Sequence, residues 1–287
     1  MEGALLRAAE ALSAAISLGR RSLRPASGIL LSVAIVSFVR AGLAEEFFRG
    51  PVPLTEAAGP IPGLTSMLLT AVVFSLLSIG FLLLIPLQDS LELGEPANER
   101  TAAQVVFRRT GPLAISGLVQ AAVVLGPPAV LFVTLTMREV RAVLATGGTL
   151  DAETLLTLQA AVLRGSLVAC CSWLAVTNAL VLFAAPFLLL ENRGPLRSIG
   201  LSAALFLRRV IPEWPRFLSI AFLWGFLYVA VVLPESEILR ALAHLPRWSF
   251  LRSVLPATWT AVSTTLALAY GTAGLVVLFR RLVPVGP

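Results

Sequence analysis

The sequence predicts an all-α integral membrane protein with six transmembrane helices, arranged as three repeats of an interfacial amphipathic helix plus two membrane helices. Three observations predict it. Of 287 residues, 57% are hydrophobic and 13% charged, with a mean hydropathy of +0.89. The charged share is about half that of a soluble domain, and a soluble body of this size cannot hide so much apolar surface. The second observation is a set of long charge-free runs, and the third is a double arginine that recurs with the same surroundings. Together they exclude a disordered chain, a disulfide-stapled secreted module and an ordinary soluble enzyme.

The first element is an N-terminal amphipathic helix. Leu5, Ala9, Leu12 and Ile16 fall on one face and Arg7, Glu10, Ser17 and Arg21 on another, the pattern of a helix lying in the membrane interface. Its arginines gather near the C-terminal end, where the helix dipole and lipid phosphates favour them. Pro25 then releases the chain towards the membrane. The first span, 29–44, is interrupted by Arg40. Gly19 to Arg24, the apolar run to Val39 and Ala41 to Ala44 also resemble a twin-arginine export signal with a cleavage site. Five long apolar runs follow, which favours a retained first span.

Those runs are defined by charge spacing. No Asp, Glu or Arg occurs between Glu56 and Asp89, Arg109 and Arg138, Arg164 and Glu191, Arg216 and Glu235, or Arg252 and Arg280. Each gap suffices to cross about 30 Å of hydrocarbon. The predicted helices are 64–87, 113–135, 165–190, 217–233 and 255–279, because lipid-exposed backbone must satisfy its hydrogen bonds within the segment. Every basic residue is Arg. With the N-terminus inside, fourteen arginines fall on inner segments and seven on outer ones, with Arg40 inside a span. This bias places both termini in the cytoplasm, and uniform Arg with abundant Ala, Leu, Gly and Pro suggests a GC-rich bacterial genome and hence the inner membrane.

The repeat emerges from Ser13-Ala14-Ala15 before Arg20-Arg21, Thr101-Ala102-Ala103 before Arg108-Arg109, and Ser202-Ala203-Ala204 before Arg208-Arg209. Each pair precedes a proline (Pro25, Pro112, Pro212), and the pairs lie 88 and then 100 residues apart. The single membrane domain, 1–287, accordingly divides into repeats 1–90, 91–191 and 192–287. Ala-rich helices and topology signals produce similar patterns without a repeat.

Ala185 to Ser202, reading APFLLLENRGPLRSIGLS, resembles a signature of bacterial polytopic proteins related to the glycerophosphodiester phosphodiesterase membrane domain, including the YciC-like proteins. Glu191, Gly194, Ser202 and Arg208-Arg209 fill its places, and Gly94 to Leu113 looks like the family's middle inner helix. Ile211-Pro212-Glu213-Trp214 departs from the family's small polar pair, and no phosphodiesterase domain is attached. The resemblance implies six membrane helices and an accessory role rather than a reaction.

Six arginines are candidates for lipid headgroups: Arg20, Arg21, Arg108, Arg109, Arg208 and Arg209, each worth about 1 kcal/mol near an anionic surface. Glu191 and Ser202 are candidate structural hinges; for Glu191 the alternative is a solvated boundary carboxylate. Arg40, Gln120 and Asn178 are the intramembrane polar candidates. Arg40 lies close enough to Glu45 and Glu46 to snorkel outwards. Gln120, Asn178 and Thr258, Thr260, Thr264 and Thr265 either line a polar path or bond across helices and back to carbonyls. Gly80, Gly126-Pro127-Pro128, Gly271 and Gly274 permit kinks or close packing, and Trp214, Trp248 and Trp259 read as interface anchors. Asp89, Glu92, Glu95 and Glu99 read as a solvated charge run.

No catalytic motif, cofactor-binding loop or metal-ligand set is apparent. His244, the single histidine, has no companion ligands, and the adjacent Cys170 and Cys171 imply no disulfide framework. The arginines punctuate apolar runs instead of clustering with aromatics, which argues against nucleic acid. The expected partners are the lipid bilayer, anionic phospholipids and a second membrane protein. The leading functional reading is a non-enzymatic scaffold or accessory subunit without a cofactor. The alternatives are a transporter or permease component for a hydrophobic or lipid-like substrate and, behind it, an intramembrane enzyme.

Overall fold

The computed structural model describes residues 2–48, 60–145, 152–242 and 250–283. Expectations resting on Arg49, His244, Arg247 and Trp248, and on the side chains of Glu45 and Glu46, lie outside the described residues. Among those described, every regular element is helical. In chain order these are α1 (Glu2–Ser22), α2 (Ser27–Phe48), α3 (Pro60–Glu92), α4 (Glu99–Arg108), α5 (Thr110–Ala145), α6 (Ala152–Val181), α7 (Ala184–Leu189), α8 (Pro195–Leu205), α9 (Trp214–Ala241) and α10 (Phe250–Leu282). Five stretches are long and apolar enough to cross a membrane: Val72–Glu92, Thr110–Ala145, Arg164–Leu189, Trp214–Pro234 and Val254–Leu282. The predicted first span qualifies only when α2 is taken with α1 across a 90° bend, giving up to six.

The chain forms two compact units, Met1–Arg108 with Pro212–Pro287, and Arg109–Ile211. In the first, α10 is the central element and packs against α1, α2, α3 and α9. Its residues from Thr272 to Phe279 are all buried. A helix buried all round must be apolar all round, as Ala273, Leu275, Val276, Val277 and Leu278 are. Small residues let its neighbours approach: a Cβ on Gly274 would stand 2.9 Å from Ile220 Cγ2 on α9. On the same helix pair the Trp224 indole N–H donates to the Gly271 carbonyl at 3.0 Å. The opposite face of α9 carries Leu218, Phe222, Phe226, Val229 and Leu233, all exposed. Large apolar side chains in one uncovered stripe suit a helix whose other neighbour is lipid.

The corner between α1 and α2 comes where Pro25 predicts it. The chain turns through residues 23–26, and the Ala26 N–H donates to the Ser22 carbonyl at 3.0 Å. The face that α1 presents to the protein is not the one carrying Leu5 and Ile16. Ala11, Ala15, Leu18 and Ser22 are buried, whereas Leu5 is 67% and Ile16 45% exposed. Close helix packing selects the small-residue stripe, leaving the bulkier apolar face uncovered.

In the second unit α5 packs against α6, and α8 packs against both. At 36 residues, α5 is about 54 Å long, so it exceeds the hydrocarbon thickness; Arg138 and Arg141 lie on its excess. The predicted continuous helix 165–190 breaks between Val181 and Ala184. Pro186 explains the break, since it has no N–H for the Leu182 carbonyl and its ring crowds that turn. Ser202 on α8 repairs it: its hydroxyl donates to the Leu180 carbonyl at 2.7 Å and accepts from the Phe183 N–H at 2.9 Å. Ser202 is fully buried. Ser202→Ala is therefore expected to cost about 1–3 kcal/mol, the penalty for buried backbone groups left unpaired. Amide hydrogen exchange at Phe183 should accelerate more than exchange at distant α5 amides; equal rates in the variant and the parent would remove this role.

The third arginine pair does not sit on a regular α-helix. Arg208 and Arg209 occupy a π-helical turn, Phe206–Val210, that continues α8. The Ile211 N–H closes it on the Phe206 carbonyl at 3.2 Å. Pro212, which has no N–H to donate, follows directly.

Candidate functional site

Polar residues of the first unit gather where α1 crosses α10 beside the C-terminal end of α3. Gln88 is fully buried. Its amide nitrogen donates to Ser22 Oγ at 3.0 Å and to the Ala269 carbonyl at 2.8 Å, joining α3 to α1 and α10. Ser22 Oγ in turn donates to the Gly19 carbonyl at 2.7 Å. Gln88 Oε1 has no hydrogen-bond partner among the described residues. Gly19 permits the close crossing, because a Cβ there would lie 2.5 Å from Tyr270 Cδ1.

The next residue of α3, Asp89, forms a bidentate pair with Arg280 near the end of α10. Nε reaches Oδ1 at 2.5 Å and Nη2 reaches Oδ2 at 2.7 Å. Their side chains are only 10% and 12% exposed. This corrects the reading of Asp89, Glu92 and Glu99 as part of a solvated charge run; Glu95 is exposed, as that reading expects. Asp89 is a buried, fork-matched partner of an arginine 191 positions away, the geometry that best compensates desolvation. Glu92 pairs with Arg21 at 3.5 Å. Glu99 is also diverted: its Oε1 accepts from the Gly28 and Ile29 N–H groups at 2.7 and 3.1 Å. A carboxylate there satisfies orphan amides at the start of α2 and complements the helix dipole. A Cβ on Gly28 would stand 2.6 Å from Glu99 Oε2, so any side chain there would push the carboxylate from its present position.

Beside the Glu99 cap lies a lateral groove of about 440 Å³ between α2, α3 and α4. Val33, Val36, Leu76 and Ile79 form its walls and Gly80 its floor, with Arg100 at its mouth. A second groove, of about 460 Å³, lies between α1 and α9 and is lined by Leu5, Leu12, Trp214, Leu218 and Phe222. Arg7 on α1 pairs with Glu213, just before α9, at 3.5 Å, and Arg216 completes the triad at 3.4 Å.

The predicted site residues divide between these features and the surface. Arg20, Arg21, Arg108, Arg208 and Arg209 are exposed and Arg109 half-buried. Glu191 is half-buried just beyond α7, where Asn192 takes a positive φ of 54°. Arg40 is exposed, its guanidinium carbon 5.9 Å from the centre of the Phe74 ring. The Gln120 amide donates to Ser116 Oγ at 2.9 Å within α5, and the Asn178 amide to the Leu174 carbonyl at 2.7 Å within α6. Thr258 and Thr265 likewise donate to carbonyls four residues back, at 2.8 and 2.7 Å. These groups serve their own helices. The buried polar cluster that the fold assembles is a different one: Ser22, Gln88, Asp89 and Arg280. Gln88-Asp89 at the end of an apolar run was the available signal, but nothing local names their partners.

Comparison with protein-family models, curated proteins and solved structures finds no match. Function therefore rests on the chemistry of the chain itself.

Proposed function

We propose that the protein is a non-enzymatic multi-pass scaffold or accessory subunit of a bacterial inner membrane, held through its arginine pairs to anionic phospholipid. The observation that carries this reading is the filled interior along α10. Side chains occupy it from Thr272 to Phe279, and Gln88 and Asp89 are spent on tying helices together. Such a core holds helices in place and supplies no polar surface for a solute. The exposed arginines would stand at the headgroups, with both termini on the cytoplasmic side as the arginine bias expects.

A threefold repeat belongs to the same proposal, as does kinship with the phosphodiesterase-associated membrane family. The packing supports the repeat. Each leading helix lies on spans of the repeat before it: α4 on α3, α8 on α5 and α6, and α1, closing the cycle, on α9 and α10.

The test combines lipid retention with partner capture. Arg208→Gln/Arg209→Gln is expected to weaken phosphatidylglycerol binding by the detergent-solubilised protein by about thirtyfold, at about 1 kcal/mol per arginine. A membrane protein should co-purify stoichiometrically in mild detergent. Unchanged lipid affinity removes the role of the pairs. Carrier-dependent flux of a solute through proteoliposomes overturns the scaffold reading.

A further inference from the structure

The groove between α2, α3 and α4 has two chemically different ends. Along the helices it is apolar, from Val33 to Val36 on one side and from Leu76 to Ile79 on the other. It follows α2 from Gly28 to Val36, eight residue steps, or about 12 Å at 1.5 Å per step. It therefore starts at the arginine-bearing end and runs towards the middle of the span. Its side is open, as the exposure of Leu76 and Ile79 shows.

At the mouth stand one anion and one cation, and only the anion is spent. Glu99 accepts from the Gly28 and Ile29 amides. The Arg100 side chain pairs with no carboxylate among the described residues, and its backbone N–H bonds to Asn98 Oδ1. An unspent guanidinium above an apolar channel of this depth matches a molecule with an anionic head and a hydrocarbon tail.

We propose that this groove binds one anionic phospholipid, its phosphate on Arg100 and one acyl chain between α2 and α3. Guanidinium groups favour phosphate oxygens because their fork of donors matches two of them. At the base of the groove Gly80 lets α2 and α3 close on each other: a Cβ there would lie 2.7 Å from Val33 Cγ2. The inference deepens the proposed anionic-lipid contact by locating one tight site apart from the arginine pairs.

Native mass spectrometry of the full-length protein in mild detergent, titrated with dioleoyl phosphatidylglycerol or dioleoyl phosphatidylcholine, tests it. The parent should retain one phosphatidylglycerol more tightly than the rest. Arg100→Gln should weaken that one about fivefold, the equivalent of about 1 kcal/mol. Ser32→Phe, at the exposed edge of the groove, should abolish it by filling the channel; Ile79→Trp does the same from α3 if the first variant fails to fold. Arg208→Gln/Arg209→Gln should leave this lipid in place. Retention unaltered in the Arg100 and groove-filling variants overturns the site, even where the Arg208/Arg209 variant loses lipid and the broader proposal stands. Equal retention of phosphatidylcholine overturns the anionic headgroup. Displacement by millimolar inorganic phosphate overturns the lipid in favour of a free anion.

Discussion

Asp89→Asn should lower the stability of the first unit by about 3–5 kcal/mol, the range for breaking a buried ion pair from one side. The loss comes mainly from Arg280, whose guanidinium stays about nine-tenths buried while its counter-charge is removed. Arg280→Met alone should cost about as much by stranding the carboxylate. The double variant Asp89→Leu/Arg280→Met should recover most of the loss, because a well-packed apolar pair can replace a buried ion pair at little cost. Denaturant titration in detergent micelles, followed by tryptophan fluorescence, measures each variant. A loss in the double variant equal to the sum for Asp89→Leu and Arg280→Met alone would show that the two residues act independently, contrary to a bidentate pair at 2.5 and 2.7 Å.

Gly19→Leu should detach α1 from α10. Even a Cβ at this position would meet three atoms of the Tyr270 ring at 2.5, 2.9 and 3.0 Å, so the ring or the helix must move. Overpacking of this kind costs about 1–3 kcal/mol. The consequence extends beyond the clash, because Ser22 Oγ and Gln88 Nε2 hold their 3.0 Å bond only while α1 stays down. Tyr270→Ala opens the space, so Gly19→Leu/Tyr270→Ala should be more stable than the sum of the single losses by about 0.5–3 kcal/mol, the usual coupling of touching residues. Protease cleavage within α1 reports its release. Equal cleavage of the parent and Gly19→Leu would show that the crossing tolerates a side chain.

The helical class and most of the spans were legible in the sequence because the rule behind them is local. A charge-free run must satisfy its own backbone in lipid, and only a helix of sufficient length does so. The bend at Pro25 was legible for the same reason, since proline acts on its own turn. The break inside 165–190 was missed although Pro186 was visible, because an apolar run containing proline is compatible with a continuous helix. In α5 the chain does continue through Pro127 and Pro128. What differs near Pro186 is Ser202, a residue of another helix that bonds the Leu180 carbonyl and the Phe183 N–H at the break.

The polar residues divide along the same line. For Gln120, Asn178, Thr258 and Thr265, bonding within their own helix was among the readings available, because that partner sits about four residues away. For residues 89–99 it was not. Arg280 lies 191 positions from Asp89, and the amides that Glu99 caps lie 70 and 71 positions away. A carboxylate in a polar stretch looks the same whether water or a buried arginine receives it.

By itself, then, the order of residues determined that this chain is helical, where its long apolar stretches lie and where its arginines bracket them. Each of these follows from the transfer free energy of a segment considered alone. Folding in three dimensions decided which face of α1 meets the bundle, which acids are buried and where a groove opens beside a free guanidinium. Those outcomes depend on the shape and charge of a partner remote in sequence, and only packing brings that partner within reach.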